Sequence, residues 1–227
     1  MTAFRQELEE ICNEEWAKIK QGNFFRLAES DLTTELYIKA MVQVFHYTKN
    51  NAINQAAATF PEDHKKVGLL RFAMKHALEE LGHENMVVRD LTSLGVDQEV
   101  FNTQPLPATE ALNGYLDSVA LRGGVIPRLG YSFWAEDSYE HLEGLLTACK
   151  TKLKLTDDQL TFFIAHAVID EKHADDVNNA IDRWVETEEE KESVRQVART
   201  SLFLTGQILE CVAEQYLQDK PELRLTA

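Results

Sequence analysis

The chain is short of basic residues, proline, glycine and cysteine, and it has no long apolar run. Lys and Arg number 23 against 38 Asp and Glu, a net charge of −15. So acidic a chain repels phosphate backbones and anionic lipid surfaces, so nucleic acid and membrane are not expected as partners. No stretch approaches the ~18 apolar residues of a membrane span. The opening Met1-Thr-Ala-Phe-Arg-Gln-Glu-Leu lacks the basic-then-apolar pattern of a secretory signal. The 3 cysteines, Cys12, Cys149 and Cys211, are odd in number and far apart, which argues against a disulfide framework or a thiolate metal site. Free or buried thiols in a reducing cytoplasm are the expectation. With 5 prolines and 10 glycines in 227 residues, helix breakers are few and long helices are favoured.

What is present is helical punctuation. Phe4, Leu8, Ile11 and Ile19 fall at helical spacing over residues 3–20. Thr33 can cap a helix running to about residue 58, and Pro61 suits the first position of a helix reaching Leu94 and ending at Gly95. Pro105 and Pro107 mark a loop before a helix over 109–121; Gly123-Gly124 closes it, and 128–152 reads as one further helix. Thr156-Asp-Asp-Gln159 and Thr187-Glu-Glu-Glu190 are capping boxes that open the last two helices. No segment alternates with the period of a strand. The expectation is a single all-α domain over 1–227 with about seven helices.

Four of the 7 histidines fall in two clusters, His76-Ala-Leu-Glu-Glu80-Leu-Gly-His83 and His166-Ala-Val-Ile-Asp170-Glu-Lys-His173. At ~100° per residue, the residue four after the first His lies about 40° from it and the residue seven after lies about −20°, so each trio shares one helix face. Both faces are otherwise apolar: Leu69, Phe72, Val87 and Leu91 extend the first, Phe162, Val177 and Ile181 the second. Buried carboxylates need partners or metals, and two such helices can satisfy each other by sharing cations. A buried His–carboxylate network is the metal-free alternative. Imidazole and carboxylate without thiolate suit iron or manganese. A pair of metals needs about six protein ligands, with carboxylates from facing helices, so a third helix should supply one more. Glu136, Glu140 and Glu143 share a face there, and periodicity does not choose among them. Glu136 follows the interior-looking run Tyr131, Phe133 and Trp134, which favours it.

These residues resemble the haem-oxygenase-like diiron oxidases and oxygenases, related in fold to haem oxygenase and the TenA thiaminases. That family's pattern reads here as Glu80-Leu-Gly-His83, then Glu136, then His166-x-x-x-Asp170-x-x-His173, and the likeness spans essentially the whole chain. It implies metal ligands Glu80, His83, Glu136, His166, Asp170 and His173. Some members draw the first carboxylate from seven residues before the His, where this chain has His76; His76 is then an extra ligand or a base behind the ligands. The resemblance implies two irons per chain, the second labile, that activate O2 through a peroxo-diferric species. The substrate would be a small metabolite such as an amino acid or fatty acid. Phe72, Phe133, Trp134 and Phe163 could wall off water, and Arg71, Lys75 and Lys172 could meet a substrate carboxylate or simply flank the core helices. A homodimer is expected, with Leu202, Phe203, Leu209 and Val212 on the last helix as its candidate face.

Rival readings fare less well. A ferritin-like protein does not explain His166. A haem oxygenase needs an N-terminal His, and the first here is His46. A TenA-like hydrolase needs a pocket Cys, and none lies beside the clusters. The p-aminobenzoate-forming branch has a Tyr where this chain has Ala135. A non-catalytic iron-binding helical protein stays open.

Overall fold

Thr2 caps the first helix, its hydroxyl accepting from the Arg5 N–H, and from there the chain is helical nearly throughout. The computed structural model describes residues 1–220, and at 168–171 it describes the helix but not the side chains. Among the described residues there are ten α-helices and no strand. The first three are α1 (Ala3–Lys20), α2 (Asn23–Asp31) and α3 (Thr34–Ala57), followed by α4 (Val67–Glu80), α5 (Glu84–Ser93), α6 (Pro107–Gly123) and α7 (Val125–Glu136). The last three are α8 (Ser138–Thr151), α9 (Thr161–Trp184) and α10 (Glu188–Asp219).

The count exceeds about seven because two expected helices are each split in two and one further helix forms where only a break is expected. The stretch after Gly22 is not a mere break but the short helix α2. Pro61 does not start a helix; residues 61–66 form turns and α4 begins at Val67. The helix expected to reach Leu94 stops at Glu80, because Gly82 takes φ +94°, a conformation that costs other residues ~1–2 kcal/mol. It then restarts as α5. That helix does end at Gly95, whose N–H bonds to Thr92 O while Val96 N–H reaches back to Leu91 O, the paired closure that a glycine after a helix permits. The helix expected over 128–152 divides at Asp137 into α7 and α8. The Thr156 capping box opens a short 3₁₀ turn rather than α9 itself; the Thr187 box opens α10 as expected.

α10 packs against α7, α1, α6, α2 and α3, and α3 packs on α4, α5 and α6. α9 lies across α7, α5 and α4. One cluster of buried side chains joins them, from Leu8 and Trp16 through Leu36, Leu91 and Leu129 to Leu202 and Tyr216. Leu202 and Val212 belong to this interior, so of the residues expected to form a dimer face only Phe203 is exposed. Asp90 of α5, wholly buried, accepts from the Thr161 hydroxyl at 2.5 Å and the Phe162 N–H at 2.9 Å. It thereby caps α9, which has no cap of its own, and ties together two helices that carry histidines. No helix among the described residues is long and apolar enough to cross a membrane.

Candidate metal centre

The break at Gly82 leaves His76 and Glu80 on α4 while His83 becomes the residue that precedes α5. α7 ends on Glu136 and α9 brings His166 and His173. These side chains meet in the interior. Glu80 Oε1 lies 3.3 Å from His173 Nδ1, and Glu80 Oε2 lies 3.3 Å from His83 Nδ1. Glu136 Oε2 lies 3.4 Å from His173 Nδ1, and Glu136 Oε1 lies 3.0 Å from His76 Nε2. His83 Nδ1 and His166 Nε2 are 3.1 Å apart. Two donor groups result: His76, Glu80, Glu136 and His173 in one, Glu80, His83 and His166 in the other, each able to put its ligand atoms around one ion. Glu80 belongs to both.

The predicted residues Glu80, His83, Glu136, His166 and His173 are therefore neighbours. The side chain of Asp170 lies outside the described residues. His76 joins the cluster, whereas Glu140 and Glu143 sit exposed on α8. Arg71, Lys75 and Lys172 are exposed, with Lys75 paired to Asp176 at 2.7 Å and Lys172 to Glu79 at 3.3 Å. They flank the core helices and do not enter the site.

Do these donors suit a metal? His173 Nδ1 and Glu80 Oε1 are buried and 3.3 Å apart, with Glu136 Oε2 3.4 Å from the same nitrogen, and still make no aligned hydrogen bond. Close, buried and misaligned polar atoms that converge from three helices fit a shared cation better than a closed hydrogen-bond network. The electrostatics agree. Burial works to raise the carboxyls of Glu80 and Glu136, but His173 with His83, and His173 with His76, outweigh it and hold both below the ordinary value. Glu136 and Glu80 in turn push His173 up to about 10. A cation is what these carboxylates hold against, and in the metal-free chain His173 supplies it as a proton.

Behind the cluster stands a residue that periodicity does not single out. Arg128 of α7 is buried, and each of its five N–H groups has an oxygen. Nε donates to Asn54 Oδ1 at 2.6 Å. Nη1 donates to Gln55 Oε1 and, at 2.9 Å, to Ser132 Oγ. Nη2 donates to Asn51 Oδ1 at 2.6 Å and to its carbonyl at 3.4 Å. Holding the amide oxygens turns the amide nitrogens away from the guanidinium. Asn51 Nδ2 therefore donates to Glu80 Oε2 at 3.3 Å, and Gln55 Nε2 faces His76 Nδ1 at 3.1 Å. Burial pulls Arg128 down to about 10, which still leaves it charged at neutral pH beside the two carboxylates. The sequence signal for this layer is faint: Asn51, Asn54 and Gln55 recur on one face of α3.

The two histidine tautomers differ in consequence. His166 Nδ1 lies 2.6 Å from Phe162 O and donates to it, leaving the Nε2 lone pair free, as a metal-ligating imidazole requires. His76 Nδ1 meets an N–H and must accept, so its own proton resides on Nε2 and faces Glu136.

A cavity of about 150 Å³ opens beside the cluster, with Glu80, Glu136 and His166 in its wall. Phe163 and Trp134 line it, as do Tyr131 and Phe162, whereas Phe72 and Phe133 do not. No cysteine lines it. Cys12 and Cys149 are buried, their thiols raised by burial to about 12.

The family model of iron-containing redox enzymes matches residues 40–206. No curated protein matches the chain significantly. A solved protein from Shewanella denitrificans, described as a domain of unknown function with a heme oxygenase-like fold, is 37% identical, superposes with a TM-score of 0.88, and is covered over 94% of its length by 95% of this chain. A TenA homologue from Pseudomonas syringae pv. tomato superposes at 0.76 with 15% identity, over 93% of each chain. A CADD-like protein of unknown function from Nostoc punctiforme does so at 0.69 with 16% identity, over 92% of this chain and 98% of its own. The two more distant likenesses show a shared fold and no more.

Proposed function

The chain belongs to the family of iron-containing redox enzymes with a haem-oxygenase-like fold, and on that premise we propose that it is an O2-dependent non-haem oxidoreductase that holds two irons and oxidises a small organic molecule. The observation that carries this reading is Glu80, whose two oxygens face two different donor groups, Oε1 toward His173 and Oε2 toward His83. A carboxylate so placed is what a pair of metals needs as a bridge. Glu80, Glu136 and His173 would hold one ion, and Glu80, His83 and His166 the other, with Asp170 the remaining expected ligand. Bound there, iron supplies the electron transfer to O2.

The chain's own residues do the rest. Phe162 O accepts a hydrogen bond from His166 Nδ1–H and so fixes which ring nitrogen is offered. Asn51 N–H steadies Glu80 Oε2 against rotation. His76, held by Gln55 through Nδ1, keeps its Nε2 3.0 Å from Glu136 Oε1. Tyr131, Trp134, Phe162 and Phe163 exclude water on the cavity side. The TenA-like alternative finds no cysteine in the cavity wall. A non-catalytic iron-binding scaffold has no use for an apolar cavity that opens onto the cluster.

The test is iron content and O2 consumption after anaerobic Fe(II) loading. His83→Ala and His173→Ala should each lose most of the iron with the helical circular dichroism unchanged, and Glu140→Ala should behave as the parent. Full iron retention by both histidine variants would refute the ligand groups, and a parent that consumes O2 no faster than free Fe(II) would refute the oxidase.

A further inference from the structure

The cavity beside the cluster runs along α3. Tyr37, Met41, Val44, Thr48 and Asn51 all line it, spaced at four, three, four and three residues as one stripe of the helix. From Tyr37 to Asn51 is 14 residues, or ~21 Å at 1.5 Å per residue. Asn51 marks the end at the cluster, through its bond to Glu80. Tyr37 marks the other end of the stripe, and Phe24 and Phe25 of α2 also line the cavity. The cavity is thus long and narrow for its volume of about 150 Å³, a size at which an apolar protein cavity takes up a small hydrocarbon.

Its charges are one-sided. Among the described residues neither Lys nor Arg lines it, while two carboxylates, Glu80 and Glu136, do. A substrate with a free carboxylate at its far end would find no cation there, and burying an unpaired charge is prohibitive. Yet the far end is not wholly apolar. Tyr37 is 3% exposed, and its hydroxyl is buried with no hydrogen-bond partner. An orphaned donor of this kind in a cavity wall is satisfied by a polar atom of whatever fills the cavity.

Resting on the reading of the cluster as the reacting centre, we propose that the substrate is a slender unbranched apolar chain. Its reacting end lies against Asn51 and the cluster, and its far end carries an uncharged oxygen that bonds the Tyr37 hydroxyl. Amino acids with a charged side-chain end, such as lysine and glutamate, are excluded by the same wall.

Binding decides this without turnover. Trp16 and Trp134 line the cavity, so their fluorescence reports occupancy in the purified full-length chain. Straight-chain 1-alkanols should bind about fourfold tighter per added methylene, until the chain reaches Tyr37 and the gain stops. At that length the α,ω-diol should bind tighter than the alkanol, and Tyr37→Phe should erase that preference while keeping the length series. Val44→Trp, which narrows the channel midway, should stop the gain at a shorter chain. The parent's length series stands by itself should that variant fail to fold. Affinity independent of chain length, or lysine or glutamate binding tighter than the alkanols, would overturn the proposal. The two readings fail separately: a normal length series in a protein whose loaded iron ignores O2 removes the redox reading and leaves the channel, and the converse removes the channel alone.

Discussion

At Arg128 a buried guanidinium finds an oxygen for every N–H, and the effect reaches the cluster through Gln55. Because Gln55 Oε1 is held by Arg128, its amide nitrogen is what His76 meets. His76 then keeps its proton on Nε2 and serves Glu136 instead of a metal. His76→Ala should therefore retain two irons per chain, with Glu136 less well oriented. Gln55→Glu should do the reverse: a carboxylate accepts, draws the proton to Nδ1 and frees Nε2 as an added ligand. Iron analysis and nitrogen NMR of the His76 ring in the metal-free protein check both; a His76→Ala protein that binds a single iron would contradict the assignment. Glu80 and the histidines were legible as candidates because they interrupt apolar stripes that burial should keep apolar, whereas Glu136 was favoured only by the aromatic run before it. The choice between His76 and Glu80 was not legible, since both share one face of one helix and differ only in what faces them from α3. Arg128 was illegible for another reason: a single Arg beside Pro127 carries no spacing, and its partners are neutral amides.

Where helices start and stop was only partly readable. Thr33, Gly95 and Thr187 act as the sequence suggests, since caps are local chemistry. Gly82 was not readable as a break because a lone glycine inside a helical pattern is often tolerated. Asp137 is no breaker at all, yet α7 ends there, where its backbone leaves the helical region at φ −101° and ψ 2°. Those two breaks are what turn His83 and Glu136 into the cluster, so the site depends on the least legible joints. The packing itself is tight at Gly130, where an added Cβ would meet the Val194 carbonyl oxygen at 2.2 Å and the Ala198 nitrogen at 2.9 Å, both backbone of α10. Gly130→Ala should therefore force α7 and α10 apart and lower stability by about 3 kcal/mol, the upper range for overpacking. Gly144→Ala is its control: nothing lies within 4 Å of the added atom, and removing a mid-helix glycine should stabilise by about 0.5–1 kcal/mol. Urea unfolding followed by circular dichroism measures the pair. Equal stabilities would show that the α7–α10 contact is looser than described.

The whole molecule carries a net charge of −15 around an interior that gathers, among the described residues, imidazoles, three carboxylates and one guanidinium. The all-helical class was readable from scarce breakers and helical periodicity; the elongated cavity was not, because its wall joins residues as far apart in sequence as Trp16, Asn51, Trp134 and Leu209. The central claim is that Glu80 joins two iron sites that act on O2 as one. It is tested most directly by O2 consumption measured against Fe(II) added per chain under anaerobic loading. The account predicts little reaction while the first equivalent binds, a steep rise during the second, and a plateau at two. Saturation at one equivalent, or a rate that simply tracks total Fe(II) without a plateau, would contradict it.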